Sequence, residues 1–335
     1  MRNANRQLKL KSRPVGLAGP DNFEEAVAPI RQPEANEALL ETVYLSVDPA
    51  MRVWLKEDPG YVPPVEIGDV MRAGGIAKVI ESRIDGIDPG DHVMARLGWQ
   101  SHPTLGPEGM HKIDPALGSL EDWIGPLGTT ALTAWFGMRE VGRIKAGETV
   151  LVSGAAGGVG QVAGQVARLE GCHVVGIAGG PAKCRFVTEE LGFDAAIDYK
   201  AEPDLSAAIA AACPDGVDVY FDNVGGPTLE AALGALRLNG RVVVCGRISQ
   251  TAADQLYGVT NIGMLIGKRA RMEGFIVSDF QDRYGEARAW LSEKLKSGAL
   301  KQRLHVLDGL ERAPEGLTML FEGTSTGKLI VKVAD

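Results

Sequence analysis

The sequence predicts an α/β protein of two domains, a small mostly β domain and a doubly wound parallel sheet. Two observations lead to this class. Up to about residue 126 the 335-residue chain alternates short strand patterns with turns, and beyond it short apolar runs alternate with helical patterns. The length is sufficient for two hydrophobic cores. We assign residues 1–126 and 300–335 to the β domain, and residues 127–299 to the domain of the parallel sheet.

The β domain is predicted to contain strands near 7–11, 38–47, 76–81 and 92–95. Residues 48–54 are typical of a strand end that continues into a short helix, with Pro49 near the helix start. The stretch 98–109 is rich in Gly, Pro and His, and we expect it to be the least ordered part of the domain.

The second domain is predicted to begin with a helical segment over 127–145 and then to alternate strands with helices. Strands are expected at 149–153, 173–177, 195–197, 217–221, 241–245 and 270–277. Besides the helix after the first of these strands, helices are expected at 182–191, 204–212 and 227–236, with another ending near 296. Two final strands are expected at 304–307 and 327–333.

The most informative stretch joins the strand at 149–153 to the helix that follows it. Gly154, Gly157 and Gly160 lie between them, in the spacing G-x-x-G-x-x-G. Glycines at such a turn let backbone N–H groups approach a pyrophosphate, and the helix N-terminus supplies donors and a positive dipole end. The context of strand, turn and helix predicts a dinucleotide site, and a glycine turn that binds nothing is the alternative.

The next strand indicates which dinucleotide binds. An NAD site carries an Asp or Glu about 20 residues after the motif, for the ribose 2′-hydroxyl. Residues 173–178 contain no acid, and Gly179, Gly180, Lys183 and Arg185 follow. A 2′-phosphate would meet small residues and cations there, so the predicted cofactor is NADP(H). The alternative is that both cations are solvated charges on a helix surface.

Composition and charge exclude several classes of partner. The net charge of −8, without a basic stripe, argues against nucleic acid. No apolar segment follows the basic N-terminal residues, and the uncharged stretch 149–167 belongs to the glycine motif, so neither a signal peptide nor a membrane partner is expected. The four cysteines form no C-x-x-C pair, and the five histidines are scattered. We expect a cytoplasmic protein with no metal and no disulfide.

Ligands of an open parallel sheet bind beyond the carboxyl ends of its strands. Three such ends are informative here, namely 222–226, 245–250 and 275–277. Gly and small polar residues in the segments 222–226 and 245–250 would let backbone groups reach a bound cofactor. A simple turn with a helix cap is the alternative for 223–226.

Motifs spread in order over nearly the whole chain resemble those of the zinc-independent medium-chain dehydrogenase/reductase superfamily. Within it, the chain is similar to the family of prostaglandin reductases and plant alkenal double-bond reductases. The matching stretches are YLSVDP at 44–49, MR at 51–52, LTAWFG at 132–137, the glycine turn at 154–161, GFD at 192–194, DYK at 198–200, YFDNVGG at 220–226, CGxIS at 245–249, GFIV at 274–277 and GKxIVKV at 327–333.

The resemblance implies a GroES-like catalytic domain and a Rossmann domain. It also implies NADPH-dependent reduction of the C=C bond of small α,β-unsaturated ketones or aldehydes, without a metal. The 2′-phosphate is expected near Lys183 and Tyr199, at the strand end marked by Gly179. The phosphates are expected on Gly158, Val159, Gly160 and Gln161. The nicotinamide side is expected near Thr133, Asn223, Cys245, Gly246, Ile248, Ser249, Phe275, Ile276 and Val277.

The chain departs from this family at four positions. Relatives carry tyrosines where this chain has Ala50, Gly74 and Thr251, and Ser325 replaces a common Asn but is kept as a cofactor-binding candidate. Hydride transfer to the β-carbon leaves an enolate whose oxygen needs a hydrogen-bond donor. We expect Tyr257 or Thr251 to be that catalytic donor, and a surface position of Tyr257 is the alternative.

Two other functions remain open at this stage. A zinc-free quinone reductase would share every cofactor feature, and a non-catalytic NADP(H)-binding protein would keep the fold without turnover. A zinc alcohol dehydrogenase is not favoured, because residues 1–125 contain no cysteine. By analogy we expect a homodimer, in which the strand at 270–277 is an edge able to pair.

Overall fold

The computed structural model describes residues 4–253 and 255–334, and the chain divides into two compact units. The β unit comprises the residues up to Ile124, Leu304–Ser325 and the residues from Leu329 onward. The α/β unit comprises Gly125–Arg303 and Thr326–Lys328. The main boundaries thus fall at 124/125 and 303/304, where the sequence analysis expects 126/127 and 299/300.

The strands and helices have the following bounds. In chain order the strands are β1 (Ala4–Leu10), β2 (Phe23–Pro29), β3 (Ala38–Ser46), β4 (Gly75–Ser82), β5 (His92–Ala95), β6 (Thr104–Leu105), β7 (His111–Lys112), β8 (Thr149–Ser153), β9 (His173–Ala178), β10 (Ala195–Asp198), β11 (Val217–Asp222), β12 (Leu236–Val244), β13 (Arg271–Gly274), β14 (Leu304–Asp308) and β15 (Lys328–Lys332). The helices are α1 (Ala50–Trp54), α2 (Leu120–Ile124), α3 (Thr129–Phe136), α4 (Gly158–Leu169), α5 (Pro181–Arg185), α6 (Leu205–Ala212), α7 (Gly226–Gly234), α8 (Ile248–Thr251), α9 (Met264–Lys268), α10 (Tyr284–Lys296) and α11 (Ala313–Glu322).

Most strand pairs of the β unit are antiparallel. β1 pairs with β2, and a second sheet has the order β14-β15-β3-β4-β5-β7, with β6 paired to β3. β3 is buried along most of its length, and Leu40 and Leu45 are fully covered. Met51 of α1 and Leu317 of α11 belong to the same core. Full burial of one such side chain stabilises the fold by about 1.5–3 kcal/mol.

The α/β unit contains a six-stranded parallel sheet of order β10-β9-β8-β11-β12-β13. Numbered by appearance, these strands stand in the order 3-2-1-4-5-6, which is the Rossmann arrangement. Val150, Leu151 and Val152 of β8 are fully buried, as expected for a central strand whose two faces are both covered. The predicted doubly wound parallel sheet is therefore confirmed.

One predicted strand ends earlier than its apolar pattern indicates. β13 ends at Gly274, and Val277–Arg283 forms a 3₁₀ segment, so the prediction of a strand through residue 277 was wrong. Phe275 lies beside Phe280, with ring centroids 6.4 Å apart, and Ile276 is 45% exposed. An apolar run can thus serve packing outside a sheet as well as within it.

Two predicted helices change geometry part-way. α3 continues as a π-helical turn over Gly137–Gly142, and α5 continues as a π-helical turn over Phe186–Glu190. A Cβ on Gly137 would stand 2.6 Å from the ring of Phe221, so the backbone here packs directly on β11. This contact depends on a distant strand, and the local periodicity of the sequence does not reveal it.

The stretch 98–109, rich in Gly, Pro and His, contributes a large side chain to the core of the β unit. Trp99 is fully buried, and its backbone N–H donates to the carbonyl of Met71 at 2.7 Å. Its own carbonyl accepts from the N–H of Leu8 at 2.8 Å. The burial of one indole outweighs the turn-forming composition around it. Across residues 4–253 and 255–334, we find no helix with the length and apolar character needed to span a bilayer, and 149–167 is divided between β8 and α4.

Candidate functional site

The glycine turn joins β8 to α4 in the centre of the parallel sheet. β8 ends at Ser153, and α4 begins after the N-cap residue Gly157. Gly154 has a φ of +60°, a left-handed conformation that favours glycine. The N–H of Gly157 donates to the carbonyl of Gly154 at 2.9 Å and closes the turn. The strand, turn and helix predicted from the glycine spacing are therefore present.

At two positions in the first turn of α4, Gly158 and Gly160, the backbone is packed too closely to leave room for a side chain. A Cβ on Gly160 would stand 2.2 Å from the carbonyl oxygen of Gly154 and 2.8 Å from Cα of Ala155. A Cβ on Gly158 would meet the side chains of Thr130 at 3.0 Å and Lys328 at 3.1 Å. The first N–H groups of a helix have no partner within that helix. Bare backbone at this end of α4 fits the phosphates of a dinucleotide.

Two predicted phosphate-binding residues differ in their surroundings. Val159 is partly exposed in the first turn of α4. Gln161 is fully buried, and its side-chain amide both donates to the carbonyl of Arg303 at 3.2 Å and accepts from the N–H of Arg303 at 3.0 Å. The side chain of Gln161 therefore fastens α4 to a neighbouring segment of the same unit, and its predicted contact with phosphate stays a prediction.

The turn after β11 lies against the glycine turn. A Cβ on Gly154 would stand 3.5 Å from the Cβ of Asn223. The side-chain amide of Asn223 donates to the carbonyl of Ser153 at 2.7 Å, and its backbone N–H donates to Oγ of Ser153 at 3.0 Å. Asn223 is thus fixed at the point where β8 and β11 lie side by side, which is the switch point of the sheet.

The loop after β12 is hydrogen-bonded to the loop after β11. The N–H groups of Cys245 and Gly246 each donate to the carbonyl of Asp222 at 2.9 Å. The backbone N–H of Ile248 donates to the carbonyl of Asn223 at 3.3 Å. The carbonyl of Val224 accepts two hydrogen bonds from Ser249, one from its N–H at 3.1 Å and one from its Oγ at 2.7 Å. The structure thus brings one group of predicted cofactor residues together at the carboxyl edge of the sheet, namely Gly154, Asn223, Cys245, Gly246, Ile248 and Ser249.

A buried carboxylate organises these loops. Asp222 is 1% exposed, and its Oδ1 accepts from the hydroxyl of Tyr220 at 2.7 Å and from Oγ of Ser153 at 3.2 Å. The same oxygen accepts the N–H groups of Val224 and Gly225 at 2.9 Å each. Burial raises the pKa of Asp222, although these donors act to lower it. This role of Asp222 and Ser153 was not predicted, although a polar residue ends each of two neighbouring buried strands in the sequence.

A second cluster lies beyond β9 and β10. A Cβ on Gly179 would stand 2.8 Å from the ring of Tyr199 and 3.1 Å from Cε of Lys200. Burial lowers the pKa of Lys183, and the positive charge of Lys200 lowers it further. Two ammonium groups beside a phenol suit a phosphate group, which accepts several charge-assisted hydrogen bonds. The structure thus groups Gly179, Lys183 and Tyr199 as predicted from the resemblance, and adds Lys200.

One carboxylate stands near this cluster. Asp198 ends β10, and its Oδ1 accepts the N–H groups of Gly180 at 2.7 Å and Lys200 at 3.1 Å. These bonds tie the turn after β9 to the turn after β10. Asp198 therefore holds the two sides of the cluster at a fixed separation.

Other predicted cofactor residues lie outside these two clusters. Thr133 is in α3, where its hydroxyl donates to a backbone carbonyl of the same helix at 2.8 Å. Phe275 and Ile276 follow the end of β13, and Val277 begins the 3₁₀ segment. Ser325 is 9% exposed and belongs to the β unit. The roles of these residues stay predictions.

The two predicted enolate donors use their hydroxyl protons within the protein. Tyr257 is 42% exposed, and its hydroxyl donates to the carboxylate of Glu230, which raises the pKa of Tyr257. Thr251 is 7% exposed, and its Oγ1 donates to the carbonyl of Arg247 at 3.0 Å. Either residue would have to break such a bond before it could act on a substrate, so their catalytic roles stay predictions.

Side chains that bind metal are dispersed. Within the described ranges, no group of three or more His, Cys, Asp or Glu side chains is placed to hold a metal ion. The cysteines are free thiols. Burial raises the pKa of Cys172 and Cys213 to about 11 and that of Cys245 to about 12, so these thiols are protonated at neutral pH.

Comparison with known proteins identifies both units. Residues 6–113 match the family described as the N-terminal domain of oxidoreductase, and residues 158–293 match the family described as zinc-binding dehydrogenase. The NADPH-dependent curcumin reductase of Escherichia coli is 38% identical over 336 residues, which cover 98% of this chain and 97% of that protein. The 2-alkenal reductase (NADP(+)-dependent) of Nicotiana tabacum is 39% identical over 336 residues, covering 99% and 98%.

A solved structure also matches nearly the whole chain. The crystal structure of CurA in complex with NADPH from Vibrio vulnificus has a TM-score of 0.93 and 37% identity, covering 98% of this chain and 99% of that one. The chain therefore belongs to the zinc-independent medium-chain dehydrogenase/reductase superfamily, in the family of prostaglandin, alkenal and curcumin reductases. The predicted pairing of a GroES-like domain with a Rossmann domain is thereby confirmed.

Proposed function

We propose that this protein reduces the carbon–carbon double bond of α,β-unsaturated ketones and aldehydes with NADPH. The relatives confirm the coarser predictions, which are an oxidoreductase of this reductase family and NADP(H) as its cofactor. The observation that carries the proposal is the cluster of Gly179, Lys183, Tyr199 and Lys200, one strand away from the bare backbone of α4. This arrangement fits a dinucleotide that bears an additional phosphate.

The cofactor would be held along the carboxyl edge of the parallel sheet. Lys183, Lys200 and Tyr199 would bind its 2′-phosphate, and the N–H groups at the start of α4 would bind its pyrophosphate. The loops 222–226 and 245–249 would border the nicotinamide. Their mutual hydrogen bonds and the carboxylate of Asp222 fix the backbone of these loops.

When bound, NADPH supplies the hydride for the β-carbon of the acceptor. The task of the chain is then to donate a hydrogen bond to the carbonyl oxygen, where negative charge grows as the C=C electron pair shifts. The chain needs no nucleophile for this step. A proton from solvent or from a hydroxyl group completes the reaction at the α-carbon.

The proposal is tested by NADPH consumption with matched acceptors. We expect loss of the NADPH absorbance with an enone and a 2-alkenal, and a saturated carbonyl product identified by mass spectrometry. A saturated aldehyde of the same chain length is the control and should consume no NADPH. Turnover of a quinone without turnover of any enone would instead indicate a quinone reductase. NADPH binding without turnover of any acceptor would indicate a non-catalytic protein.

We further propose that the protein is a homodimer, by analogy with its relatives. β13 is an edge strand of the six-stranded sheet, and an edge strand presents unpaired backbone groups to another chain. The preceding segment exposes apolar side chains, because Ile262 is 50% exposed and Ile266 is 83% exposed. Light scattering during size-exclusion chromatography should give twice the chain mass of 35.5 kDa. A mass of a single chain at micromolar concentration would contradict this assembly.

A further inference from the structure

Two lysines lie beside the turn that follows β9, within the α/β unit. Lys183 is in the short helix α5, and Lys200 follows the end of β10. Lys183 is half-buried, and Lys200 is exposed. A lysine side chain binds anions as an ammonium group, and it is a nucleophile as an uncharged amine. The surroundings of each lysine decide which of these two forms it favours.

The backbone holds both lysines next to one turn. Asp198 pairs with Ala178 across β10 and β9, so the residues after the two strands run side by side. Oδ1 of Asp198 accepts the N–H of Gly180 at 2.7 Å and the N–H of Lys200 at 3.1 Å. The N–H of Lys183 donates to the carbonyl of Gly180 at 3.1 Å. Gly180 therefore links the segments that carry the two lysines.

The side chains at this turn are closely packed on one side and open on the other. A Cβ on Gly179 would stand 3.1 Å from Cε of Lys200 and 2.8 Å from the ring of Tyr199. The phenol oxygen of Tyr199 would be 3.1 Å from the same point. A Cβ on Gly180, in contrast, would meet nothing within 4 Å. The turn thus leaves room for a ligand beside the charge of Lys200.

These surroundings favour the uncharged form of Lys183. Burial lowers the pKa of Lys183, and the positive charge of Lys200 lowers that pKa further. An ammonium group loses hydration when it is buried, and a second ammonium group nearby adds repulsion. Burial and a neighbouring cation are also the two conditions that activate lysine in enzymes that form imines. A larger fraction of Lys183 is therefore uncharged than of an ordinary lysine at the same pH.

Lys200 and Tyr199 are placed to bind an anion at the same turn. Lys200 is exposed, and Tyr199 is 47% exposed with its hydroxyl beside Gly179. A cation and a hydroxyl group are suitable donors for a phosphate. The carboxylate of Asp198 lies nearby, and the two backbone N–H groups that it accepts offset part of its charge. A phosphate held here would lie close to the amine of Lys183.

A cavity adjoins Tyr199 in the same unit. Its volume is about 620 Å³, and its lining includes Pro203 and Leu205. Glu202 and Glu230 also line it, so a second anionic group is disfavoured there. The apolar part of the lining suits a ring or a short carbon chain. A ligand with a phosphate at one end thus meets donors at the turn and has room for its organic part in the cavity.

We propose, on the basis of the proposed 2′-phosphate site, that Lys183 is a reactive amine that forms an imine with aldehydes carrying a phosphate group. The uncharged amine attacks the carbonyl carbon of the aldehyde, and the resulting carbinolamine loses water. A C=N bond replaces the C=O bond, and both amine protons leave with the carbonyl oxygen in that water. Bound NADPH excludes the aldehyde, because its 2′-phosphate uses the same donors. The cofactor thereby protects Lys183 from modification.

The first test is labelling with pyridoxal 5′-phosphate, an aldehyde that carries a phosphate group. Borohydride reduces the imine to a stable secondary amine, which peptide mapping by mass spectrometry locates. We expect one predominant adduct, at Lys183. The analogue 5-deoxypyridoxal keeps the ring and the aldehyde but has no phosphate, and it should label Lys183 about tenfold more slowly because a charge-assisted contact is missing. Labelling spread evenly over Lys183 and the exposed lysines would overturn the proposal.

The second test measures protection by the 2′-phosphate of a nucleotide. Adenosine 2′,5′-bisphosphate carries this phosphate, and adenosine 5′-monophosphate lacks it. At about ten times its Kd, the bisphosphate should slow labelling of Lys183 about tenfold, because it occupies most of the sites. The monophosphate at the same concentration should leave the rate unchanged. Undiminished labelling in the presence of bound bisphosphate would show that the amine and the phosphate site do not coincide, and the proposal would fail.

Three variants separate reactivity from charge. Lys183→Arg keeps a cation but forms no imine, so it should still prefer NADPH to NADH and should give no adduct at position 183. Lys200→Gln should slow labelling of Lys183 about tenfold, because the aldehyde loses a charge-assisted contact with its phosphate. Lys145→Gln is the control, because it removes an exposed lysine of the same unit and should leave the labelling unchanged. A labelling rate unaffected by Lys200→Gln would contradict the arrangement described above.

Two measurements on the same protein distinguish failure of the imine from failure of the cofactor site. A protein that binds NADPH and reduces an enone, yet is not labelled at Lys183, would overturn the reactive amine and leave the proposed function intact. An adduct on the half-buried thiol of Cys184 in place of Lys183 would do the same. If the protein bound NADPH no more tightly than NADH, the proposed phosphate site would fail, and the role of Lys183 with it.

Discussion

The backbone of Gly160 lies directly against the carbonyl oxygen of Gly154, so that a Cβ at position 160 would stand 2.2 Å from it. This contact joins the first turn of α4 to the end of β8. It explains why the third glycine of the motif is needed, since any side chain would push the helix away from the strand. The position of the N-terminus of α4 therefore depends on the absence of a Cβ at residue 160.

Gly160→Ala should both destabilise the protein and weaken its binding of NADPH. The added methyl must displace the helix from the turn, and we expect the free energy of unfolding to fall by about 1–3 kcal/mol. Gly234→Ala at the end of α7 is the control, because a Cβ there meets nothing within 4 Å. Urea unfolding of both variants checks this, and equal stability of the two would contradict the packing described for α4.

Lys183→Gln should weaken the binding of NADPH by about tenfold, since a charge-assisted contact with phosphate contributes on the order of 1.5–3 kcal/mol. Binding of NADH, which has no 2′-phosphate, should be unaffected. Arg185→Gln is the control, because that residue is exposed on the same short helix. An equal loss of affinity for both nucleotides would show that Lys183 acts on the fold and not on the phosphate.

Asp222→Asn should change how stability depends on pH. Burial raises the pKa of Asp222, so the folded protein binds this proton more tightly than the unfolded chain does. The contribution of this group to the free energy of unfolding is greatest below its unfolded pKa of about 3.9. This contribution is lost as the pH rises through the raised pKa of the folded protein. The amide that replaces the carboxyl group in this variant does not titrate, and its oxygen can still accept from the donors around it.

The measurement compares urea midpoints of wild type and Asp222→Asn from acidic to neutral pH. The stability of the wild-type protein relative to the variant should decline as the pH rises. Because Tyr220 and Ser153 donate to the same carboxylate, Ser153→Ala is a useful companion that leaves the titrating group in place. A difference between wild type and Asp222→Asn that did not vary with pH would contradict the pKa shift.

Much of the α/β unit could be predicted because its signals are local. The glycine spacing, the apolar run of β8 and the absence of an acid after β9 lie within thirty residues of each other, and each has a direct physical meaning. The predicted grouping of Lys183 with Tyr199 came from a family resemblance. Their approach across Gly179 depends on two adjacent strands, which only the pairing of β9 with β10 reveals.

The parts that could not be predicted depend on distant contacts. Trp99 is buried by residues far away in the chain, so the Gly, Pro and His around it do not indicate that this residue belongs to the core. Tyr257 and Thr251 follow strand ends that suit a ligand, yet their protons are used by Glu230 and Arg247. The indole N–H of Trp54 in α1 donates to the hydroxyl oxygen of Tyr61 in the following loop, and neither residue belongs to a motif that predicts this contact.

The central claim is that a dinucleotide with a 2′-phosphate binds along the carboxyl edge of the parallel sheet. Isothermal titration of the purified protein with NADPH and with NADH tests it most directly. We predict that NADPH binds about a hundredfold more tightly, which is the difference expected from two charge-assisted contacts with one phosphate. Equal affinities, or a preference for NADH, would contradict the assignment of Lys183, Lys200 and Tyr199 and the cofactor chemistry that depends on it.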